Sequence, residues 1–488
     1  MAAKRSVFSL VLLGGLCFAP LLFTGSGRAM DREGQQAPPY APSQLRYEKS
    51  GAEFTPPETC AGCHPRQFKE WTASMHAVAF QDPVYQGELN KAVQAVGHDI
   101  ARQCEGCHSP AGVVTGEIKG PGLSGLSDMA LAGVSCDICH SVKGHAGLAT
   151  PYHLPGNGSL ILSPGRDTPG GPALTKYVPR TPREGCGGGF HECVEQPLLR
   201  QAELCANCHQ VHHYEAYTAL ESTYTEWRDS PYRVKGIACH DCHMVDSATF
   251  LRSADTFAKP QRGEYRHYFN GANFLVYALV EMAAKKVGNE ELAANARGKY
   301  EMAVTRLQSA ADLELSPVYR DGRLAEIKVR VRNIRAGHNL PTSLTNIRQV
   351  WLEMTVKDQE GRVVMTTGTV NEKGELPGNA RKFNSEGMGE NFHFALDPWE
   401  VISFSRHDTI PARGYKDVYY GVSAAHVKGP LTVEAKLRYR QAEQKVAHAL
   451  LAAVPKDIDL AAIYGLTAMP DLPVVDMVSK EVTVAAVQ

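Results

Sequence analysis

Glu58-Thr-Cys60-Ala-Gly-Cys63-His64 opens a series of five segments built on one frame, Cys-x-x-Cys-His. The other four are Cys104-Glu-Gly-Cys107-His108, Cys136-Asp-Ile-Cys139-His140, Cys205-Ala-Asn-Cys208-His209 and Cys239-His-Asp-Cys242-His243. Two thiols three residues apart can each add to one vinyl group of a porphyrin. The residue that follows is then placed to give its imidazole to the iron, which makes the frame the attachment signature of haem c. The frames predict five covalently attached haem c groups, with His64, His108, His140, His209 and His243 as proximal ligands. Zinc is the competing use of paired thiols. An odd number of Cys-x-x-Cys units cannot all pair off, an all-thiolate site needs no following His, and an exported chain rarely keeps free thiolates.

Three of the 13 cysteines lie outside the frames. Cys17 falls in an apolar run, 7–23, preceded by Lys4 and Arg5 and followed by small residues up to Ala29. This reads as a signal peptide over 1–29, with an uncleaved anchor as the alternative; Gly14, Gly15 and Pro20 inside the run argue against a stable spanning helix. Export to the periplasm or the outer cell surface follows. Cys186 and Cys193, in Cys-Gly-Gly-Gly-Phe-His-Glu-Cys, read as a disulfide closing a small loop in an oxidising compartment. The composition is globular: 488 residues, 43% hydrophobic, with 51 basic against 52 acidic side chains. That balance gives no reason to expect a nucleic-acid partner held by phosphate neutralisation.

Fixing five proximal histidines leaves fourteen of the 19 for the opposite faces of the irons. No Met recurs at a fixed offset from the frames, so mostly bis-His, low-potential haems are expected. Around the frames stand Glu70-Trp71-x-x-Ser74-x-His76, Gly133-Val-Ser-Cys136-Asp-Ile-Cys139-His140 and Thr223-Tyr224-x-Glu226-Trp227-x-x-Ser230-Pro231-Tyr232. With these phrases the chain, from about Glu58 onward, resembles the multihaem cytochromes c related to the tetrahaem electron carrier of ammonia oxidation. The likeness is to a subgroup with a C-terminal immunoglobulin-like domain. The resemblance implies that His76 is a distal ligand; in the second copy of its phrase Tyr232 takes the place. It implies the same role for His191 inside the Cys186 to Cys193 loop, for His267 in His-Tyr-Phe-Asn-Gly-Ala-Asn273, and for His338 in Gly337-His-Asn-Leu-Pro-Thr342. His145 is the candidate for the fifth position. It follows His140 too closely to reach the far face of its own haem and would serve a neighbour; His98, His153, His212 and His213 are rivals.

Residues 30–57, with Gln, Pro and Gly concentrated after Asp31, read as a flexible leader. Residues 58–255 hold the five frames, so few residues surround each haem and the porphyrins must supply the core. Short helices are expected there, as over 65–79, and a long loop over 153–183, where Gly and Pro are dense. Helices over 273–288 and 290–311 form a linker, 256–312. Beyond it the period changes to two: Ile327, Val329 and Val331, then Val350, Leu352, Met354 and Val356, then Leu431 to Tyr439 alternate with polar partners. Residues 313–488 therefore read as an antiparallel β-sandwich, and the whole as a multidomain chain with a mainly helical and loop multihaem domain in front of it.

The function these readings imply is an electron-transfer protein rather than a catalyst with its own substrate. It would relay electrons between redox partners, other cytochromes or a membrane quinol-oxidising complex, and is compatible with peripheral membrane association. Two other readings use the same frames. One is a reductase of a small nitrogen or sulfur compound, or of an extracellular metal, at a haem with an open position; the other is a subunit of a haem filament. Every frame ends in His, whereas the pentahaem nitrite reductases carry a Lys-ligated catalytic haem.

Overall fold

The period-two runs of the C-terminal part become strands. In the computed structural model, which describes residues 45–146, 154–423 and 429–487, Ala311–Arg320 and Arg323–Asn333 form a hairpin extended by Tyr415–Gly421. A four-stranded sheet holds Val363–Thr367, Gln349–Lys357, Leu431–Arg440 and Val475–Val484 in that order, and every pairing in it is antiparallel. A third small antiparallel sheet joins Phe394–Ala395, Ser385–Met388 and Ser403–His407. Ile327, Val329 and Val331 from the first sheet share one buried cluster with Val350, Leu352, Met354, Val356, Leu431 and Val433 from the second. Alternation is what allows this, because successive side chains leave a strand on opposite faces.

The turn between the first two strands shows how local sequence sets register. Asp321 and Gly322 have φ of 49° and 70°, the two left-handed positions of a type I′ hairpin. Gly322→Val is expected to cost about 1–2 kcal/mol, the penalty of a side chain in that region. It should lower the denaturation midpoint without moving the haem spectrum, and an unshifted midpoint would show that the turn does not set the register.

The helices Phe274–Lys286 and Glu290–Ala310 form as their sequence predicts. Lys285 and Lys286 lie in the last turn of the first, where they complement the helix dipole, and Gly288 at φ 72° ends it. Asn289 caps the second by accepting the Leu292 N–H at 3.0 Å. Phe274, Tyr277, Ala303, Leu307 and Ala310 join the same buried cluster as the strands, so the helical pair and the sheets share one core. No helix among the described residues is long and apolar enough to cross a membrane.

Three sequence expectations are corrected. Residues 45–57 are not a free leader: Arg46–Tyr47 pairs in parallel with Leu160–Leu162, and Ala52, Phe54 and Thr55 are buried. An apolar side chain within a Gln- and Pro-rich stretch is enough to dock it. The helix expected over 65–79 ends as Pro65–Trp71, because Ala73 turns back at φ 58° and redirects the segment that carries His76. The long loop over 153–183 is, from 154, strand-bearing. Gly165–Thr168 and Gly171–Val178 form a hairpin whose turn uses the glycines that the composition had assigned to a loop. Residues 1–29, Cys17 and His153 lie outside the described residues.

Candidate haem-binding sites

The frames lie in helical turns. Cys136–His140 and Cys239–His243 are themselves short helices, and the second frame ends the helix His98–His108. At the first and fourth frames His64 N donates to Cys60 O at 2.8 Å and His209 N to Cys205 O at 2.9 Å, one helical turn each. Positions i, i+3 and i+4 share a helix face, so both thiols and the imidazole of a frame point the same way. An intervening side chain anchors several frames. Asp137 accepts from Lys176 Nζ at 2.6 Å and from Thr55 N at 2.6 Å, and Asp241 accepts from Tyr265 Oη at 2.7 Å. Glu105 receives His98 Nε2 at 3.0 Å, which occupies that rival histidine.

Four of the five frame histidines have Nδ1 fixed by an acceptor. His108 donates to Ala79 O at 2.8 Å, His140 to Tyr177 O at 2.7 Å and His243 to Asn270 O at 2.9 Å. His209 meets a carboxylate instead, Glu221 Oε1 at 3.1 Å. A proton held on Nδ1 leaves Nε2 as the ligating nitrogen and fixes the ring orientation. Burial and then the neighbouring His209 and His108 push His76 down to about 3, and burial and Arg306 push His243 down to about 3, so both are kept in the neutral form that binds metal. At His209 burial acts the same way, but Glu221 outweighs it and lifts the group to about 9. His64 and Cys63 are exposed, which puts the first frame at the surface.

Two of the histidines read as distal ligands face frame histidines. The His76 and His209 ring centres are 6.4 Å apart, and those of His243 and His338 are 6.2 Å apart. Two imidazoles on opposite sides of one iron have ring centres roughly 6.3 Å apart, taking metal–nitrogen bonds of about 2.0–2.1 Å and adding the half-width of each ring. The field of His267 reaches His140. His145 lies against the fourth frame, its Nδ1 accepting from Asn207 Nδ2 at 3.3 Å. His191 stays beside the Cys186–Cys193 disulfide, with Nδ1 3.1 Å from Glu192 O. Neither ring is brought against a frame imidazole in the described contacts. His213 uses both nitrogens on protein, Nε2 donating to Trp399 O at 2.9 Å and Nδ1 accepting from Ala216 N at 3.0 Å.

The thiols link the frames to one another. Cys60 is an electrostatic neighbour of Cys136, Cys107 of Cys208 and Cys205 of Cys239, and Cys139 lies in the field of Cys205 and Cys208. The first frame thus adjoins the third, the third adjoins the fourth, and the fourth adjoins the second and fifth. Whether this set suits a porphyrin can be judged from what the protein leaves unfilled. All ten frame cysteines remain free while Cys186 and Cys193 are bonded. The His209 side chain keeps 52% of its surface uncovered although it lies deep among the frames; the Nδ1 atom of His76 is buried without a hydrogen-bond partner, and that of His267 has only Glu70 Oε2, 3.7 Å away. The apolar clusters around the frames are small and separate. Free thiols, aligned imidazoles and uncovered surface between them fit haem c. Among the described residues no three His, Cys, Asp or Glu side chains converge as a bare metal site would.

Sequence reasoning missed several residues that complete the sites. Tyr85 stacks on His108 with ring centres 3.7 Å apart. Lys299, 2% exposed, donates to Glu70 O at 2.5 Å and Tyr268 O at 3.1 Å, and burial pulls it down to about 7. Arg306 donates to Cys242 O at 2.5 Å and Val245 O at 2.9 Å. A Lys or Arg on a polar helix reads as solvated; only the packing of the helix Glu290–Ala310 against the frames shows otherwise.

Comparison with known proteins agrees with this picture. Residues 59–141, which span the first three frames, match the family described as cytochrome c554 and c-prime. The structure resembles the crystal structure of a penta-heme cytochrome c552 from Thermochromatium tepidum. The two are 18% identical with a TM-score of 0.57, and the match covers 88% of this chain and 99% of that one. No curated protein matches the chain. The matched segment spans three of the five frames, and the likeness to the penta-heme protein is one of fold.

Proposed function

We propose that this protein is an exported pentahaem cytochrome c that relays electrons between redox partners. The observation that carries the reading is the nearness of the frame cysteines to one another across all five frames. Thioether attachment at neighbouring sulfurs would bring neighbouring haems close. Haem supplies the one-electron chemistry when bound, and the protein supplies ligation, spacing and electrostatic tuning. His209 with His76, and His243 with His338, are bis-His pairs; His140 with His267 is a third. His145 and His191 are candidates for the remaining positions. The frame domain covers 58–255, the helical linker 256–312 and an immunoglobulin-like sandwich 313–488, whose loop carries His338 to the fifth frame. After removal of 1–29 the chain works in the periplasm or at the outer cell surface. Its partners are other cytochromes or a membrane quinol-oxidising complex, and the exposed first frame is the edge at which one of them docks.

Electron paramagnetic resonance of the oxidised holoprotein, with haem counted against protein, tests this directly. Five low-spin ferric haems indifferent to nitrite, sulfite and hydroxylamine are expected. A stoichiometric high-spin signal altered by one of those molecules would replace the relay by a reductase.

A further inference from the structure

The phrase Glu-Trp occurs in the sequence at 70–71 and 226–227, upstream of the third and fifth frames. Both copies lie on short helices, Pro65–Trp71 and Thr223–Arg228. In the first, Trp71 Nε1 donates to Val134 O at 3.0 Å, two residues before Cys136. In the second, Trp227 Nε1 donates to Ile237 O at 2.8 Å, two residues before Cys239. The two indoles therefore grip the same point of two different frames.

The two carboxylates repeat one another in the same way. Glu70 Oε2 accepts the backbone N–H of His267 at 2.9 Å. Glu226 Oε2 accepts the backbone N–H of Asn339, next to His338, at 3.2 Å, and the Thr342 hydroxyl at 2.5 Å. The field of His267 reaches His140 of the frame that Trp71 grips, and His338 faces His243 of the frame that Trp227 grips. Adjacent residues on a helix point about 100° apart rather than to one side, so a dipeptide can hold two segments at once. A carboxyl oxygen that accepts a backbone N–H gives a directional hold on the segment that carries it.

We infer that each Glu-Trp pair is a positioning clamp that ties the two halves of one haem site together. The indole holds the attachment frame, and the carboxylate holds the separate loop that brings the opposite histidine. The two halves come from distant parts of the chain: His338 lies 95 positions after His243 and His267 lies 127 after His140. In the second copy Tyr232 adds to the hold, its hydroxyl lying 3.3 Å from Arg335 O, just before the His338 loop.

The inference rests on the ligand reading of His267 and His338, and the test separates the two. In the holoprotein, His338→Gly and His267→Gly each mark the low-spin signal of one haem by removing it. Glu226→Ala is then expected to convert part of the His338-marked signal to high spin and to leave the His267-marked signal intact. Glu70→Ala is expected to do the reverse. Glu226→Gln, which keeps an acceptor, should retain the low-spin signal. Should Glu226→Ala fail to accumulate with full haem, Trp227→Phe keeps an aromatic side chain, removes the Nε1 donor to Ile237 O together with one ring of the indole, and should disturb the same haem. Wild-type spin states and midpoints in Glu226→Ala and Trp227→Phe would overturn the clamp, as would Glu70→Ala and Glu226→Ala perturbing one and the same haem. No change in His338→Gly and His267→Gly would overturn the ligand reading and the clamp with it.

Discussion

His76→Met is expected to raise the midpoint potential of one haem by on the order of 0.1 V and to leave the other four nearly where they were. Exchanging imidazole for thioether stabilises the reduced iron, and the axial ligand is among the strongest controls of potential. The haem concerned is that of the fourth frame, because His76 faces His209 across 6.4 Å. The consequence for the chain of sites is large, since the fourth frame lies beside the second and fifth at Cys208 and Cys205. A raised midpoint there would make the junction a trap, and transfer between the outer haems should slow. Potentiometric titration followed by stopped-flow reduction checks both parts. Five unchanged midpoints would show that His76 is no ligand. A shift in a haem other than the one disturbed by His209→Met would break the pairing.

Asp137→Ala is expected to destabilise the protein by about 3–5 kcal/mol, the cost of breaking a buried ion pair by deleting one partner. Asp137 is fully covered, and Lys176, whose side chain is 11% exposed, would keep its charge with only the Thr55 hydroxyl, 3.1 Å away. The backbone N–H of Thr55 would also lose its acceptor. Three segments meet at this carboxylate: the docked N-terminal stretch, the third frame and the strand Gly171–Val178 whose Tyr177 orients His140. The loss is read from the denaturant midpoint at constant m-value. Adding Lys176→Met should recover much of it, because the penalty comes mainly from the stranded charge. A double variant no more stable than Asp137→Ala would refute that account.

Much of the candidate site is legible without coordinates because its chemistry is local. Attachment needs two thiols and an imidazole within five residues, and that pattern survives any arrangement of the rest. The C-terminal strands were equally readable, since alternation along Ile327, Val329 and Val331 records one buried face. The docking of 45–57 was not readable, because Leu45, Tyr47 and Phe54 meeting a distant cluster leave no regular period in the sequence. Nor was the hairpin within 165–178, where glycine serves turn and loop alike. Lys299 and Arg306 look like solvated residues on a polar helix and are buried cations beside the frames.

The sequence by itself determined the five Cys-x-x-Cys-His frames and the strand-forming character of the last third. Each of those depends on neighbours a few bonds or a few residues away. Only the tertiary structure decided which histidine faces which, how the frames adjoin and what holds the opposing loops. His76 meets the fourth frame rather than its own, and His338 crosses from the strand-bearing part to the fifth. Those pairings are set by buried carboxylates, indoles and carbonyls acting between segments many residues apart, and burial of that kind is a property of the packed chain.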